Sequence, residues 1–275
     1  MSLSRLSFVL FCALPLGPVL GHEYWLSPQS YQVESGENIA VNFRNGEEFV
    51  GSVYSYLPNR VSRFEVIVDG VANPVEARAG DTPALAVSAP AEDALLVAIM
   101  EASPLTVTYK DWDKFLSFTN HKDFPQAEAD HIANGWPQDR FKERYTRHAK
   151  TLIAVGSGEG QDAPTGMATE FVALTNPYAE GFDGQMKVAL RYQDAPRPDA
   201  QIEVFDRGPE GDVTITMHRT DTAGEAVIPV SKGHEYLFDA VVLRPVEGVG
   251  TGKDVDANQP VWETLWAALT FSVPQ

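Results

Sequence analysis

The sequence predicts a mainly β protein of two β-sandwich domains, the second immunoglobulin-like, with a short helical insertion in the first. Three observations carry this. Short apolar and polar alternations recur between turn residues, as from Arg63 to Val68, where Phe64, Val66 and Val68 share one face. With 21 glycines and 19 prolines in 275 residues, chain reversals are frequent. Seven further strand-like runs follow the stretch from Gly156 to Pro164 within about one hundred residues, the size of an immunoglobulin-like sandwich.

The elements follow in order. Met1 to Gly21 has one cation, Arg5, then an apolar run from Leu6 to Leu16 broken at Gly17-Pro18, with small residues near its end. That is the pattern of a cleaved signal peptide, and the run is too short for a membrane span. Residues 22–155 form the expected first domain. Its strands lie at Tyr31 to Phe43, Arg63 to Val68, Ala84 to Ser88, Ala94 to Met100 and Leu105 to Tyr109, and a last strand at Thr151 to Val155. Between them, residues 111–148 read as the helical insertion. Asp111 or Asp113 starts a first helix, a second turn falls within Asp123 to Asn134, and a third helix spans Asp139 to His148. On that third helix Phe141 and Tyr145 share a face and Glu143 pairs with Arg147. Gly156 to Pro164 is the expected linker, and residues 165–275 the second sandwich. Trp262 and Trp266, four apart, suit a core-facing turn.

Composition narrows the function. The chain is 44% hydrophobic and 21% charged, with 21 Lys and Arg against 38 Asp and Glu, a net charge of −17. Loss of Arg5 with the leader takes it to about −18 by the same count. Nucleic acid and anionic membrane surfaces are excluded as partners, because both need clustered cations. The single cysteine, Cys12, lies in the leader, so the mature chain has no disulfide and no cysteine ligand. Export without disulfides points to a bacterial periplasm.

Cleavage after Gly21 would make His22 the first residue of the mature chain. A free α-amine and an imidazole on one residue chelate a metal in a closed ring, and such nitrogen donors suit copper or nickel. His148 and His121 are the candidate further imidazole donors. His121 and His131 also bracket Asp123, Glu128 and Asp130, a mixed nitrogen–oxygen set that reads more simply as a solvated loop. Catalysis has little support: there is no G-x-S-x-G and no H-E-x-x-H. The five tryptophans read as core and interface packing before they read as a ligand cleft. Arg144, Tyr145, Arg147 and Lys150 read as structural, Tyr145 packing inward beside Phe141.

Several motifs carry a resemblance. His22-Glu23-Tyr24-Trp25-Leu26-Ser27-Pro28 after a leader, Glu143-Arg144-Tyr145-Thr146-Arg147-His148-Ala149-Lys150, Asn176-Pro177-Tyr178, Arg219 to Ala226, and Glu263 to Phe271 resemble the exported family named domain of unknown function 4198. The resemblance runs along nearly the whole mature chain. It implies a periplasmic component of cobalt or nickel uptake, and a C-terminal domain that is immunoglobulin-like or carboxypeptidase-regulatory-like. Members of the family often carry a histidine where Val242 stands here. The leading expectation is a soluble periplasmic binding protein, not an enzyme, that delivers nickel, cobalt or copper, with a membrane metal transporter as its partner. The rival is a metal-free module binding carbohydrate or protein. A copper redox enzyme is a third reading.

Overall fold

The computed structural model describes residues 22–252, 255–256 and 258–275, so the expected leader lies outside the described residues. In chain order the elements are β1 (Glu23–Pro28), β2 (Gln32–Val33), β3 (Asn38–Glu47), β4 (Val50–Tyr54), β5 (Val61–Val68), β6 (Val71–Pro74), β7 (Leu85–Ser88), β8 (Ala94–Ala102) and β9 (Leu105–Tyr109). Helices α1 (Trp112–His121) and α2 (Ala127–Ala133) follow. Then come β10 (Phe141–Val155), β11 (Thr169–Ala173), β12 (Gln185–Tyr192), β13 (Ala195–Pro196), β14 (Gln201–Arg207), β15 (Val213–Arg219), β16 (Glu225–Pro229), β17 (Glu235–Pro245) and β18 (Pro260–Ser272).

The strands make three layers. A central ten-stranded sheet runs β15-β14-β17-β18-β10-β8-β5-β6, with β2 and β9 also on β10. One four-stranded sheet, β1-β3-β4 with β7, covers part of one face, and another, β11-β12-β13 with β16, covers the other. The sequence shows why. Stretches such as Ala94 to Met100 and Val261 to Phe271 are buried at every position, as strands covered on both faces must be. Alternate side chains serve the two cores. Leu95, Val97, Ile99, Leu152 and Ala154 pack with Phe171, Met186 and Leu190 on one side. Leu96, Ala98, Met100, Ile153 and Val155 pack with Trp25, Ile39 and Phe43 on the other.

The mainly β sandwich architecture expected from the sequence is therefore present. The organisation differs from two sandwiches strung on a linker. Strands from both sides of Gly156 to Pro164 share the central sheet, and β10 pairs in parallel with β18 from Lys142↔Pro260 to Thr151↔Thr270. The 156–164 segment is also fastened down. Asn176 Nδ2 donates to the carbonyls of Gly158 and Gly160, and Leu95 N–H to that of Glu159. Asp162 forms a buried ion pair with Lys150. Gly158 sits at φ +69°, and a Cβ there would meet Ala154 and Tyr178 at under 3 Å.

The insertion needs a second correction. α1 and α2 fall where the sequence places them, and Asp111 caps α1 by accepting the Asp113 N–H at 3.0 Å. The third helix does not form: Phe141 to His148 is the first half of β10. Spacing of four residues puts Phe141 and Tyr145 on one face of a strand as well as of a helix, so the pattern did not discriminate. Pairing with β9 and β18 decides in favour of the strand, because both backbone edges gain partners. The Glu143–Arg147 pair is absent, and Tyr145 is only half-buried. Trp262 and Trp266 likewise lie within β18, on one face of the strand.

Candidate functional site

Register places His22. Glu23 pairs with Gly46 in the β1–β3 ladder, so the preceding residue comes opposite Glu47. There His22 Nε2 lies 3.1 Å from Glu47 Oε1, both side chains about half exposed. Next along β1, Glu23 points the other way and is buried.

His22 opens on a cavity of about 560 Å³. Asn45 of β3, Val107 and Tyr109 of β9, Phe118 of α1, and Glu143, Tyr145 and Arg147 of β10 wall it, with Trp266 of β18. Lys110, Asp111 and Lys114 stand at the β9–α1 end. The insertion creates this space: sheet β1-β3-β4 and α1 cover neighbouring parts of one face of the central sheet.

Two polar sets lie beneath. Lys122, just past α1, sends its ammonium into a nest of buried carboxylates: Glu203 at 2.5 Å, Asp239 at 3.0 Å and Glu23 at 3.4 Å. Among the described residues, these three acids form the one group of three His, Cys, Asp or Glu side chains with ligand atoms within 4.8 Å of one another. The cation they hold is the lysine. Burial pushes the Glu23 carboxyl up to about 8, against the pull of Lys122. Burial also raises Asp239, with Lys122 opposing. Glu203 is pushed up by burial too, but bonds from His121 and Lys122 outweigh that and hold it below the ordinary carboxylate value. Lys122 itself is held above its ordinary value because Asp239, Glu23 and Glu203 together outweigh its burial. Removing one partner of such a set costs about 3–5 kcal/mol.

The second set is a relay. Trp266 Nε1 donates to Thr264 Oγ1 at 3.1 Å, Thr264 bonds Glu143, and Tyr109 OH donates to Glu143 at 2.9 Å. Burial raises the Glu143 carboxyl, opposed by Thr264 and Tyr109. Arg147 stands beside this relay, its guanidinium 3.8 Å from the Trp266 ring centroid. Its Nε and Nη1 are buried without a hydrogen-bond partner, a cost of about 1–3 kcal/mol for each unpaired group. Burial lowers its pKa, while Asp239 and Glu23 act against that.

The three histidines singled out as ligands have separate surroundings. His121 Nε2 lies 3.0 Å from Glu203 Oε1. His148 is buried, with Nδ1 3.0 Å from the Trp266 carbonyl, and burial lowers its pKa. Neither lines the cavity on which His22 opens. The polar loop expected around His131 is instead an aromatic cluster. Trp262 Nε1 donates to His131 Nδ1 at 3.0 Å, so the Nε2 that lies 3.1 Å from the Pro137 carbonyl carries the proton. Both ring nitrogens are thereby spent. Trp25, Trp136, Trp262 and Trp266 are buried, as core tryptophans should be.

Of the four residues read as structural, Arg144 binds Glu263 at 2.7 Å and Lys150 binds Asp162 and Glu170. Arg147 and Tyr145 instead face the cavity. Sequence reasoning missed the Lys122 nest altogether. Its members come from β1, the end of α1, β14 and β17, and no local spacing links them.

The chain belongs to the family described as Domain of unknown function (DUF4198), whose model matches residues 19–244. No curated protein matches the chain. Among solved structures it is similar to the D0-D1 domain of Intimin, at 8% identity and a TM-score of 0.20, covering 90% of this chain and 97% of that one. It is also similar to a tetra-tandem repeat in the extending region of a large adhesion protein, at 10% identity and a TM-score of 0.19, covering 90% of this chain and 49% of that one. Likeness at those scores carries no argument about fold or function.

Proposed function

We propose that the protein is an exported, periplasmic metal-binding protein that handles nickel, cobalt or copper through His22, and that a membrane metal transporter receives its cargo. One observation carries the reading: His22 faces Glu47 across the β1–β3 ladder, with Nε2 at 3.1 Å. A carboxylate accepting from Nε2–H leaves Nδ1 with a free electron pair. Nδ1 is the nitrogen that closes a six-membered ring with the α-amine of the same residue, once the leader is cleaved after Gly21. Glu47 thus orients the chelate from behind, and the cavity mouth leaves open positions for a further donor. His121 and His148 add no support as ligands, because neither lines the cavity on which His22 opens. No described helix is long and apolar enough to cross a membrane, which is compatible with a carrier outside the bilayer.

The test is calorimetric titration of the mature protein with Ni(II), Co(II) and Cu(II). His22→Ala should abolish tight binding, and Glu47→Gln should weaken it by about tenfold, the usual scale for a residue that orients a ligand. Unchanged affinity in His22→Ala would remove the metal reading. The rival, a metal-free β-sandwich module for carbohydrate or protein, draws on the cavity with its Trp266, Phe118 and Tyr145 walls.

A further inference from the structure

We propose that the cavity between β9, α1 and β10 binds a small organic carboxylate, with Arg147 as the residue that pairs with it. The inference stands on Arg147 and the cavity and is independent of metal at His22. Arg147 is 9% exposed and lines the cavity, yet among the described residues no acid lies within ion-pair reach of its guanidinium. Arg191 and Arg197 also carry a buried unpaired nitrogen, but each donates to a backbone carbonyl, which Arg147 does not. Arg147 is held instead by stacking on Trp266, with the Tyr145 ring 5.5 Å away. Stacking fixes the plane of the guanidinium, and with Nε and Nη1 closed off from solvent, Nη2 is the nitrogen left to meet a ligand. Buried donors without acceptors are rare in folded proteins, and a missing partner is one explanation for them.

The acids nearby are already engaged. Glu23, Glu203 and Asp239 surround the Lys122 ammonium, although Asp239 Oδ1 has no hydrogen-bond partner. Glu143 is bonded to Thr264 and Tyr109. Asp111 caps α1. Lys110 and Lys114 add positive charge to the wall, and His22 stands at the mouth beside Glu47. The walls carry Lys110, Lys114 and Arg147 against Asp111 and Glu143, a small excess of cations in a chain of net charge −17, and such an excess favours an anion.

The shape selects the class of anion. A guanidinium pairs with carboxylate and phosphate oxygens alike, so the walls make the choice. Val107, Phe118, Trp266 and the Tyr145 ring offer apolar faces to the rest of the ligand. A volume of about 560 Å³ lies in the usual range for small-molecule sites. The structure therefore assigns an organic acid with an apolar or aromatic body, over inorganic oxyanions and polyphosphates.

The experiment is calorimetry and tryptophan fluorescence on the exported chain, in chelator to remove metal. The probes are acetate, benzoate, phenylacetate and indole-3-acetate, with benzamide and inorganic phosphate as controls. The proposal expects one-to-one binding of at least one arylcarboxylate, weaker by tenfold or more for benzamide and for phosphate. Arg147→Gln should abolish that binding, and Arg147→Lys should restore part of it. Because Arg147 lies in the core, each variant is checked by its unfolding midpoint. Lys114→Ala, at the rim, should weaken binding several-fold with the midpoint unchanged. No binding by any carboxylate at millimolar concentration overturns the proposal. So does binding that survives Arg147→Gln, that prefers phosphate, or that is unaffected in Lys114→Ala if the Arg147 variants do not fold.

Discussion

The two halves of β10 make different things from one strand. From Ala149 to Val155 every residue is buried, and the side chains divide cleanly between two apolar cores. From Phe141 to His148 the same strand carries Glu143, Arg144, Arg147 and His148 and passes under α1 and the cavity. The difference lies in what covers each half. The first half has helices and a gap above it on one face, so polar groups there find either a relay or open space. The second half has a full sheet on each face, so a polar group survives only if it is paired, as Lys150 is with Asp162 and Glu170. One half supplies stability, and the other leaves polar groups unpaired beside a cavity.

The sharpest way to break this comparison is to strip the cation from the nest under α1. Lys122→Ala leaves three buried acids without their ammonium and should destabilise the protein by about 3–5 kcal/mol, measured by denaturant unfolding. A loss below about 1 kcal/mol would mean that water already reaches those carboxylates. In the covered half, Ile153→Ala should cost about 2–5 kcal/mol through the cavity it leaves, with metal and carboxylate binding unchanged in the folded protein. If that variant loses binding while remaining folded, the two halves are coupled and the division fails.

A smaller effect is expected with pH. Burial holds His131 below the ordinary histidine value, and its Nδ1 accepts from Trp262. A base with a lowered folded pKa binds fewer protons folded than unfolded, so the stability it supports is complete above about pH 6.5 and falls as pH drops through that value. Lowering the pH from 7.5 to 5.5 should reduce the unfolding midpoint less in His131→Asn than in the parent chain. Equal losses would show that His131 is not the group responsible. The smallest effect should come from proteolysis. The segment 156–164 is bonded to β8 and to Asn176, so brief treatment with proteinase K or a glutamate-specific protease should leave it uncut. Early cleavage there, with release of two folded pieces, would restore the picture of separable sandwiches.

The β-rich fold was legible because alternation and turn residues are local signals. The start of α1 was legible through Asp111, and the place of α2, though not its start, through the polar run from Asp123 to Asn134. The shared central sheet was not, because the pairing of β10 with β18 joins residues more than a hundred positions apart. Phe141 to His148 misled because residues four apart share a face in both a helix and a strand. Of the candidate site, His22 was readable from its place after the expected leader, and Glu47 was not, since only the β1–β3 register brings it opposite. The unpaired state of Arg147 was hidden by an acidic composition, in which any arginine is expected to find a partner.

Two forms of the exported protein, one beginning at His22 and one with a single alanine placed before it, test the central claim most directly. Intact mass establishes where each begins. Both are then titrated with Ni(II), Co(II) and Cu(II) across pH 6 to 8.5. The α-amine and the imidazole must both lose protons to bind, so affinity for the native form should rise over that range. The alanine-extended form keeps the imidazole and Glu47 but moves the amine, and should bind at least tenfold more weakly, about 1.4 kcal/mol. Equal affinity of the two forms for every metal, or an exported chain that begins elsewhere than His22, would contradict the account.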